Sequence, residues 1–391
     1  MFSTRIPPNL EPNTLTRTLA TLRARGEAVL DLTETNPTRA GLEYPPDLLA
    51  PLAEAGSLLY EPHPFGLAGA REAVSAGYRD AGLDVPPAQV VLTASTSEAY
   101  SFLFKLLCDP GDEVLVPAPS YPLFEQLSRL DGIAARSYPL EYHGLWSADT
   151  AEVERLVTPR TRAILTVSPN NPTGSMLAPS ELAALRGTCR RHGLALVADE
   201  VFADYLLEPR ADRAAALEGA DVLTFSLGGL SKSVGLPQLK LGWIAAAGPG
   251  RLLAPALGRL EVIGDAYLSV GTPVQRATGS LLAAGARVRT AIHERIRANL
   301  ESLREAAAGT PCTALRVEGG WSAVVRVPAT RSEERLAIEL LEHDRVLAHP
   351  GYFFDFPREA YLVVSLLPRP AVFADGIGRL IARAAGSPAP L

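Results

Sequence analysis

The feature that most constrains the fold is a series of short apolar runs, separated by amphipathic stretches of helical length. Uninterrupted apolar runs are typical of strands buried on both faces of a parallel sheet, in which a helix usually connects each strand to the next. The runs lie at 90–92, 113–116, 163–167, 194–198 and 222–225. The sequence therefore predicts an α/β domain with a doubly wound, mostly parallel sheet.

The pattern changes after about residue 280. A long Arg-rich amphipathic helix is predicted over 287–308, followed by short alternating segments that include 321–327 and 361–366. This sequence pattern favours a second, smaller α+β domain to which both termini contribute. The predicted division is a large domain over 46–284 and a small domain over 1–45 and 285–391.

Composition and missing motifs exclude several classes of function. The formal net charge of −6 comes without a basic run longer than a pair, which disfavours nucleic acid as a partner. No window approaches the roughly 18 apolar residues of a membrane span, and residues 1–10 lack a signal pattern, so we expect a cytoplasmic protein. The six histidines and three cysteines are scattered, and glycine-rich nucleotide motifs are absent. Small-molecule chemistry without a metal is favoured.

Lysine is almost absent from the chain, so the positions that keep it are informative. Of 37 basic side chains only three are lysines, Lys105, Lys232 and Lys240. Unlike arginine, lysine carries a primary amine that can lose its proton and form a Schiff base with a carbonyl. We therefore hypothesise this chemistry for Lys232. The alternative is that a lysine has no special role and remains by chance in an Arg-rich composition, an interpretation that fits Lys105.

Polar residues follow the predicted strands where ligands bind in parallel α/β sheets. After the run at 90–92 come Ser95, Thr96 and Ser97, which open a helix and form either an anion site or a plain helix cap. Asn171 lies in a rigid Pro-rich turn after the run at 163–167. Asp199 follows five apolar residues, where a carboxylate needs a cation, a protonated ring nitrogen or a structural salt bridge.

Taken together, six ordered segments resemble the class I/II aminotransferases, the fold-type I enzymes that depend on pyridoxal 5′-phosphate (PLP). The segments are Tyr60 with Gly66 and Arg71, then 93–99, 119–122 (PSYP), 170–174 (NNPTG), 198–202 (ADEVF), and 231–243, which begins with SK and ends with GW. Any one segment is weak evidence, but six in this order and spacing are specific. The resemblance covers most of the chain.

The resemblance implies a role for each matching residue. Lys232 would hold PLP as a Schiff base and later move a proton between the substrate α-carbon and cofactor C4′. Asp199 would pair with the pyridine nitrogen, Asn171 would hydrogen-bond the phenolic oxygen, and Tyr121 would stack on the ring. The phosphate would lie among Ser95, Thr96, Ser97, Ser226 and Lys240, with Tyr60 reaching across from a second subunit. A homodimer with shared active sites is therefore expected.

The chain departs from the family's pattern at several of these positions. Lys240 stands where relatives usually have an arginine, and it offers a point charge in place of a bidentate fork. Phe202 replaces a tyrosine that hydrogen-bonds the phenolic oxygen in many relatives. Gly229 replaces a serine three residues before the lysine, a loss that Ser226 is placed to compensate.

The largest departure concerns the substrate carboxylate. Relatives read Arg-x-Ser near the end of the chain, and that arginine clamps the α-carboxylate, whereas the matching position here is Val363. Either another arginine replaces it, with Arg39, Arg326 and Arg369 as candidates, or the substrate is not an ordinary α-amino acid. The sequence leaves both alternatives open.

The expected function is PLP-dependent transfer of an amino group from an amino acid or amine to a 2-oxo acid, both small molecules. The first alternative keeps the fold and cofactor but changes the reaction to elimination or decarboxylation, because the missing clamp leaves the orientation of the scissile bond open. The second is a PLP-sensing regulatory protein. It would need a DNA-binding module, and no basic recognition helix precedes the large domain.

Overall fold

The computed structural model describes residues 2–208 and 214–386. Within these ranges the strands form an eight-stranded, a four-stranded and a two-stranded sheet. They are β1 (Leu30–Asp31), β2 (Val90–Thr93), β3 (Glu113–Ala118), β4 (Ala134–Tyr142), β5 (Trp146–Ala148), β6 (Thr161–Val167), β7 (Ala195–Asp199), β8 (Thr224–Gly229), β9 (Gly242–Ala247), β10 (Thr313–Ala314), β11 (Ser322–Arg326), β12 (Val346–Leu347), β13 (His349–Pro350) and β14 (Tyr361–Ser365). All five apolar runs overlap one of these strands, as the sequence predicts.

Helices separate most strands. They are α1 (Thr14–Ala24), α2 (Ala68–Asp80), α3 (Thr96–Leu107), α4 (Leu123–Leu130), α5 (Thr150–Arg155), α6 (Pro179–His192), α7 (Leu230–Ser233), α8 (Gly250–Tyr267), α9 (Thr272–Ala284), α10 (Ala286–Ala307), α11 (Glu333–Glu339) and α12 (Pro370–Ala384). The Arg-rich helix predicted over 287–308 is confirmed as α10. Among the described residues, no helix is both long and apolar enough to cross a membrane.

The eight-stranded sheet has the order β2-β9-β8-β7-β6-β3-β4-β5. Four neighbouring pairs are parallel, namely β8 with β7, β7 with β6, β6 with β3, and β3 with β4. The two ends of the sheet are antiparallel, where β9 pairs with both β2 and β8 and β5 pairs with β4. The predicted mostly parallel sheet is therefore confirmed, and its central strands are buried.

Three strands of this sheet were not predicted. β4 alternates exposed and buried residues near one end of the sheet, so it lacks the continuous apolar run used to find the others. β5 is only three residues long. β9 is buried but rich in alanine and glycine, which have weak strand propensity. Each escapes a search for Val/Ile/Leu runs.

The register of the central strands brings their carboxyl ends together. Val167 at the end of β6 pairs with Asp199 at the end of β7, and Asp199 pairs with Leu227 near the end of β8. Because these three strands are parallel, the loops that follow them leave the sheet from one edge. The polar segments singled out in the sequence therefore converge on that edge.

Five of the six remaining strands, β10 to β14, lie toward the carboxyl terminus. β11 pairs antiparallel with β10 and β14, and β14 pairs with β13. β1 from the amino-terminal region pairs in parallel with β12, with Leu30 opposite Val346. This pairing is in keeping with a small domain built from both termini. The predicted boundaries at 45/46 and 284/285 stay a prediction.

Candidate active site

A cavity of about 270 Å³ lies between the carboxyl edge of the large sheet and the four-stranded sheet. β7 contributes Asp199, the turn after β6 contributes Asn171, and α7 contributes Lys232. On the other side Ser322 of β11 and Val363 of β14 form part of the wall. Of the ten residues predicted for the site, six line this cavity, namely Lys232, Asp199, Asn171, Tyr121, Thr96 and Ser97.

The backbone around Lys232 is tightly held. Lys232 lies in α7, directly after β8. A Cβ atom on Gly229, which ends β8, would lie 3.1 Å from the Cα of Gly242 on the neighbouring strand, so a serine there would require backbone movement. The hydroxyl of Tyr205 donates a hydrogen bond to the carbonyl oxygen of Lys232 at 2.6 Å. These contacts fix the position from which the side chain enters the cavity.

The amine of Lys232 lies between aromatic rings. Its Nζ is 4.9 Å from the ring centroid of Trp321 and 5.4 Å from that of Phe202. Burial lowers the pKa of this amine to about 8, against the opposing effect of the Asp199 carboxylate. Since only a neutral amine is a nucleophile, a lowered pKa makes Lys232 reactive near physiological pH.

Asp199 is a half-buried carboxylate at the end of β7. Burial raises its pKa to about 6, although two hydrogen bonds oppose the shift. The hydroxyl of Tyr100 donates to Oδ2 at 2.9 Å, and the backbone N–H of Val201 donates to Oδ1 at 3.2 Å. A further cation placed against this carboxylate would therefore restore its ionised form.

The amino-terminal end of α3 faces the same cavity. Ser95 caps the helix by accepting a hydrogen bond from the N–H of Glu98 at 3.2 Å. Thr96 and Ser97 form the first turn and line the cavity, where backbone N–H groups have no intrahelical partner. A Cβ atom on Gly242 would lie 3.1 Å from the nitrogen of Thr96, so glycine allows β9 to approach this turn. The arrangement suits an anion.

A side-chain hydrogen bond joins the loops after β3 and β6 beside the cavity. The buried Asn170 accepts a hydrogen bond from the hydroxyl of Ser120 at 2.8 Å, which joins the loop after β6 to the loop after β3. Asn171 accepts a hydrogen bond from Ser322 at 3.1 Å, so the NH₂ end of its amide is the end that can donate to a ligand. Tyr121, which is 46% exposed, lines the cavity on the neighbouring loop.

Three predicted residues lie outside the cavity, besides the capping residue Ser95. Ser226 is fully buried, and its hydroxyl donates to Glu200 and lies 3.3 Å from that of Tyr78. Lys240 is exposed and has a left-handed backbone conformation with φ of 50°. Tyr60 is 71% exposed. A single chain therefore does not bring Ser226, Lys240 or Tyr60 to the cavity.

The structure does not bring a substitute arginine to Val363. Val363 lines the cavity, as its match to the clamp position predicts. Arg39 is 74% exposed, Arg369 is exposed, and Arg326 lies at the opposite end of β11 from the cavity. None of these three candidates lines the cavity. Among the residues described, Lys232 is the one lysine or arginine that does.

Aromatic side chains close the cavity on its apolar side. Trp321 and Phe354 both line it, and the ring of Phe202 packs edge-on against Trp321 at 5.4 Å. The neighbouring Tyr352 and Phe353 do not line it.

Three residues of the site were missed by sequence reasoning. Tyr100 lies four residues after Thr96 on α3, and this spacing places both residues on one helix face. The spacing alone could therefore have predicted that Tyr100 faces the site. Tyr205 and His349 carried no such signal. Tyr205 reaches Lys232 from a loop 27 residues away, and His349 becomes a site residue only because β13 pairs with β14.

Comparison with known families agrees with this geometry. The family model described as aminotransferase class I and II matches residues 29–368, which is most of the chain. The chain therefore belongs to the class I and II aminotransferases. It is a PLP-dependent aminotransferase with the fold of that family.

Individual relatives have low sequence identity to this chain, but the matches cover most of each sequence. The chain is 27% identical over 365 residues to glutamate-pyruvate aminotransferase AlaA of Escherichia coli, covering 89% of this chain and 88% of that one. It is 31% identical over 280 residues to arginine–pyruvate transaminase AruH of Pseudomonas aeruginosa, covering 71% and 70%. A solved aspartate aminotransferase variant of Thermus thermophilus superposes with a TM-score of 0.85 at 26% identity, covering 98% and 99%.

The residues of the cavity fit PLP. Asp199 is a half-buried carboxylate whose raised pKa shows that Lys232 compensates its charge incompletely, and a protonated ring nitrogen would supply the missing cation. The first turn of α3 offers N–H groups for a phosphate. Lys232 would supply an amine of lowered pKa for the aldehyde.

Proposed function

We propose that the chain transfers an amino group between an amino acid and a 2-oxo acid in this cavity, with Lys232 as the reacting amine. The observation that carries the proposal is that one cavity holds both an amine with its pKa lowered to about 8 and a carboxylate with its pKa raised to about 6. Paired groups with opposite shifts are characteristic of catalytic sites.

The chemistry that PLP supplies when bound is an aldehyde that condenses with amines and a ring that withdraws electrons. In our proposal Asp199 pairs with the ring nitrogen, Asn171 donates to the phenolic oxygen, and Tyr121 covers the ring. Residues proposed to hold the phosphate are Ser95, Thr96, Ser97, Ser226 and Lys240. The position of α3 supports the first three, whereas Ser226 and Lys240 rest on the family resemblance alone.

Lys232 is also the side chain proposed to carry the proton during transfer. Its Nζ lies against the rings of Trp321 and Phe202, which keep water from that side of the amine. Asp199 is already engaged by Tyr100, so its carboxylate is held as a charge rather than as a mobile base. The amine is thus the group best placed to accept and return a proton near the reacting carbon.

We propose that the enzyme works as a homodimer with shared active sites. Tyr60 is 71% exposed, and the preceding Leu58 and Leu59 are 92% and 56% exposed. Consecutive exposed apolar side chains of this kind mark an interaction surface. A second copy bound over this segment would bury it and supply Tyr60 to the neighbouring cavity.

The substrate proposal starts from the relatives. Two of them are named as transaminases that use pyruvate, with glutamate or arginine as the other substrate. We therefore propose pyruvate as the first amino-group acceptor to test. The alternative of elimination or decarboxylation finds no support among the relatives described.

The test replaces the reacting amine and compares it with another lysine. Lys232→Ala should abolish turnover with pyruvate and each of L-glutamate, L-alanine and L-arginine, because no other side chain of the described cavity supplies an amine. Turnover is measured as product amino acid by chromatography, with ammonia and carbon dioxide assayed in parallel.

Lys105→Ala is the matched control. Lys105 lies on α3, where its Nζ contacts Ser101 and Asp131 outside the cavity, so this variant should keep wild-type turnover. Normal turnover by Lys232→Ala would refute the assignment of the amine. Stoichiometric release of ammonia or carbon dioxide by the wild-type enzyme would replace transfer with a lyase reaction.

A further inference from the structure

His349 lies directly beside Val363 in the cavity wall. β13 pairs antiparallel with β14, and the register places His349 opposite Val363. Side chains of directly opposed residues project from the same face of a sheet, with Cβ atoms about 4.5–5.5 Å apart. Both residues line the cavity. An imidazole therefore stands next to the apolar side chain at the substrate end of the site.

The imidazole of His349 is available to a ligand. Its ring contacts Phe353 and Phe354 at centroid distances of 5.5 and 5.8 Å. Within residues 2–208 and 214–386, neither ring nitrogen has a hydrogen-bond partner. Burial lowers the pKa of the ring, and the charge of Asp31 opposes that shift. A half-buried polar ring without a partner gains from binding a charged group.

Three hydroxyl groups on the same wall are already used. Ser322 donates to the side chain of Asn171, Ser365 donates to a backbone carbonyl, and Thr33 donates to a carboxylate. Their protons are therefore not free for a substrate oxygen. Thr35 and the indole N–H of Trp321 also line the cavity without a hydrogen bond in the described structure, but neither can carry a positive charge. The imidazole is therefore the side chain on this wall that combines an uncommitted donor with the capacity for positive charge.

The charges of the cavity require such a group. Lys232 and Asp199 are the two oppositely charged side chains that line it in the described structure; under the proposed function Asp199 pairs with the cofactor ring, and Lys232 is reserved for the Schiff base and for proton transfer. A substrate carboxylate that enters would then be unpaired, which is costly in a closed site. An adjacent imidazole lowers that cost by donating a hydrogen bond and, when protonated, by supplying a positive charge.

We propose that His349 binds the carboxylate of the amino-acid and 2-oxo-acid substrates as a charge-assisted hydrogen-bond donor beside Val363. The inference rests on the proposed function of the cavity. It makes His349 a specificity-determining residue that favours acids over their neutral analogues, without an arginine.

The test uses an acid and its neutral ester. Holoenzyme with its cofactor in the amino form is mixed with pyruvate or methyl pyruvate, and single-turnover rates are followed by cofactor absorbance. His349→Ala should lower kcat/KM for pyruvate about 10- to 100-fold, as expected for one hydrogen bond to a charged group, and change that for methyl pyruvate less than about threefold. His349→Gln, which keeps a donor without the charge, should fall between.

Binding provides a readout that does not depend on turnover. Calorimetry of pyruvate with holoenzyme in the aldehyde form should show Kd weakened about 10- to 100-fold by His349→Ala. His343→Ala is the matched control, because His343 is exposed and lies outside the cavity. It should match the wild type in both measurements.

The outcomes separate the inference from the function on which it rests. The role of His349 would be overturned if His349→Ala lowered kcat/KM equally for pyruvate and methyl pyruvate, or changed neither value. It would also be overturned if the wild type preferred the ester or did not bind pyruvate. Binding that depends on His349 without any amino transfer would instead sink the proposed transaminase reaction and leave the carboxylate site standing.

Discussion

The two walls of the cavity are built on different principles. The wall from the large sheet carries the oppositely charged side chains of Lys232 and Asp199. Tyr205 donates a hydrogen bond to the backbone carbonyl of Lys232, and Tyr100 donates one to the carboxylate of Asp199. The wall from the four-stranded sheet presents Val363 and neighbouring polar groups, with no arginine or lysine among the described residues. The first wall suits a fixed cofactor, while the second leaves the choice of substrate to a weaker, adjustable set of contacts.

This difference teaches that cofactor chemistry and substrate choice are separable in this fold. Changes on the large-sheet wall should affect all substrates alike, because under the proposed function every substrate reacts through the same amine and the same charged ring. Changes on the other wall should alter the ratio between substrates.

The largest effect is expected from Asp199→Asn. Removing the charge that we propose pairs with the cofactor ring should lower kcat/KM about 10²- to 10³-fold, in line with the loss of one preorganised electrostatic contact. Pyruvate and methyl pyruvate should fall by the same factor. The matched control is Asp131→Asn, which removes a carboxylate that contacts Lys105 away from the cavity and should leave both rates unchanged. A loss confined to pyruvate would show that Asp199 acts on the substrate.

A smaller and selective effect is expected from Val363→Arg. A guanidinium binds a carboxylate through two parallel hydrogen bonds, so the ratio of kcat/KM for pyruvate to that for methyl pyruvate should rise about tenfold. Val363→Met is the matched control, since it adds length without charge and should leave the ratio near the wild-type value. An unchanged ratio in the arginine variant would place the substrate carboxylate elsewhere in the cavity.

The smallest effect concerns the stability of the cofactor-free protein. Because the pKa of Asp199 is raised from 3.8 to about 6 on folding, its stabilising contribution is complete below about pH 4 and is lost as the pH rises through 6. Asp199→Asn has no ionisable group at this position, so the variant does not lose this stability as the pH rises. At pH 8 we expect the variant to have a free energy of unfolding about 1 kcal/mol above the wild type, a figure reduced for partial exposure and for the nearby Lys232.

Denaturant unfolding of both cofactor-free proteins between pH 4 and pH 8 measures this difference. The gap between them should open as the pH rises through 6. A constant gap would mean that the substitution acts through packing rather than through the charge of Asp199.

The large-sheet wall was the more predictable of the two. Asp199, Asn171, Thr96 and Ser97 each follow an apolar run, and the carboxyl ends of parallel strands lie at one edge of the sheet, so their convergence follows from the pattern. Lys232 stood out because the composition has almost no lysine. The positions of Ser226 and Lys240 could not be foreseen, since the resemblance gives a residue's place in a motif but not the direction of its side chain.

The sequence by itself determined the central strands of the large sheet, the family and a candidate for the reacting amine, because local periodicity and motif spacing are properties of neighbouring residues. It also showed that Val363 stands where a charge is usual. Only the tertiary structure decided what surrounds that position. The pairing of β13 with β14 places His349 beside Val363, while none of the three arginine candidates lines the cavity. Contacts across paired strands depend on register, which no local pattern specifies.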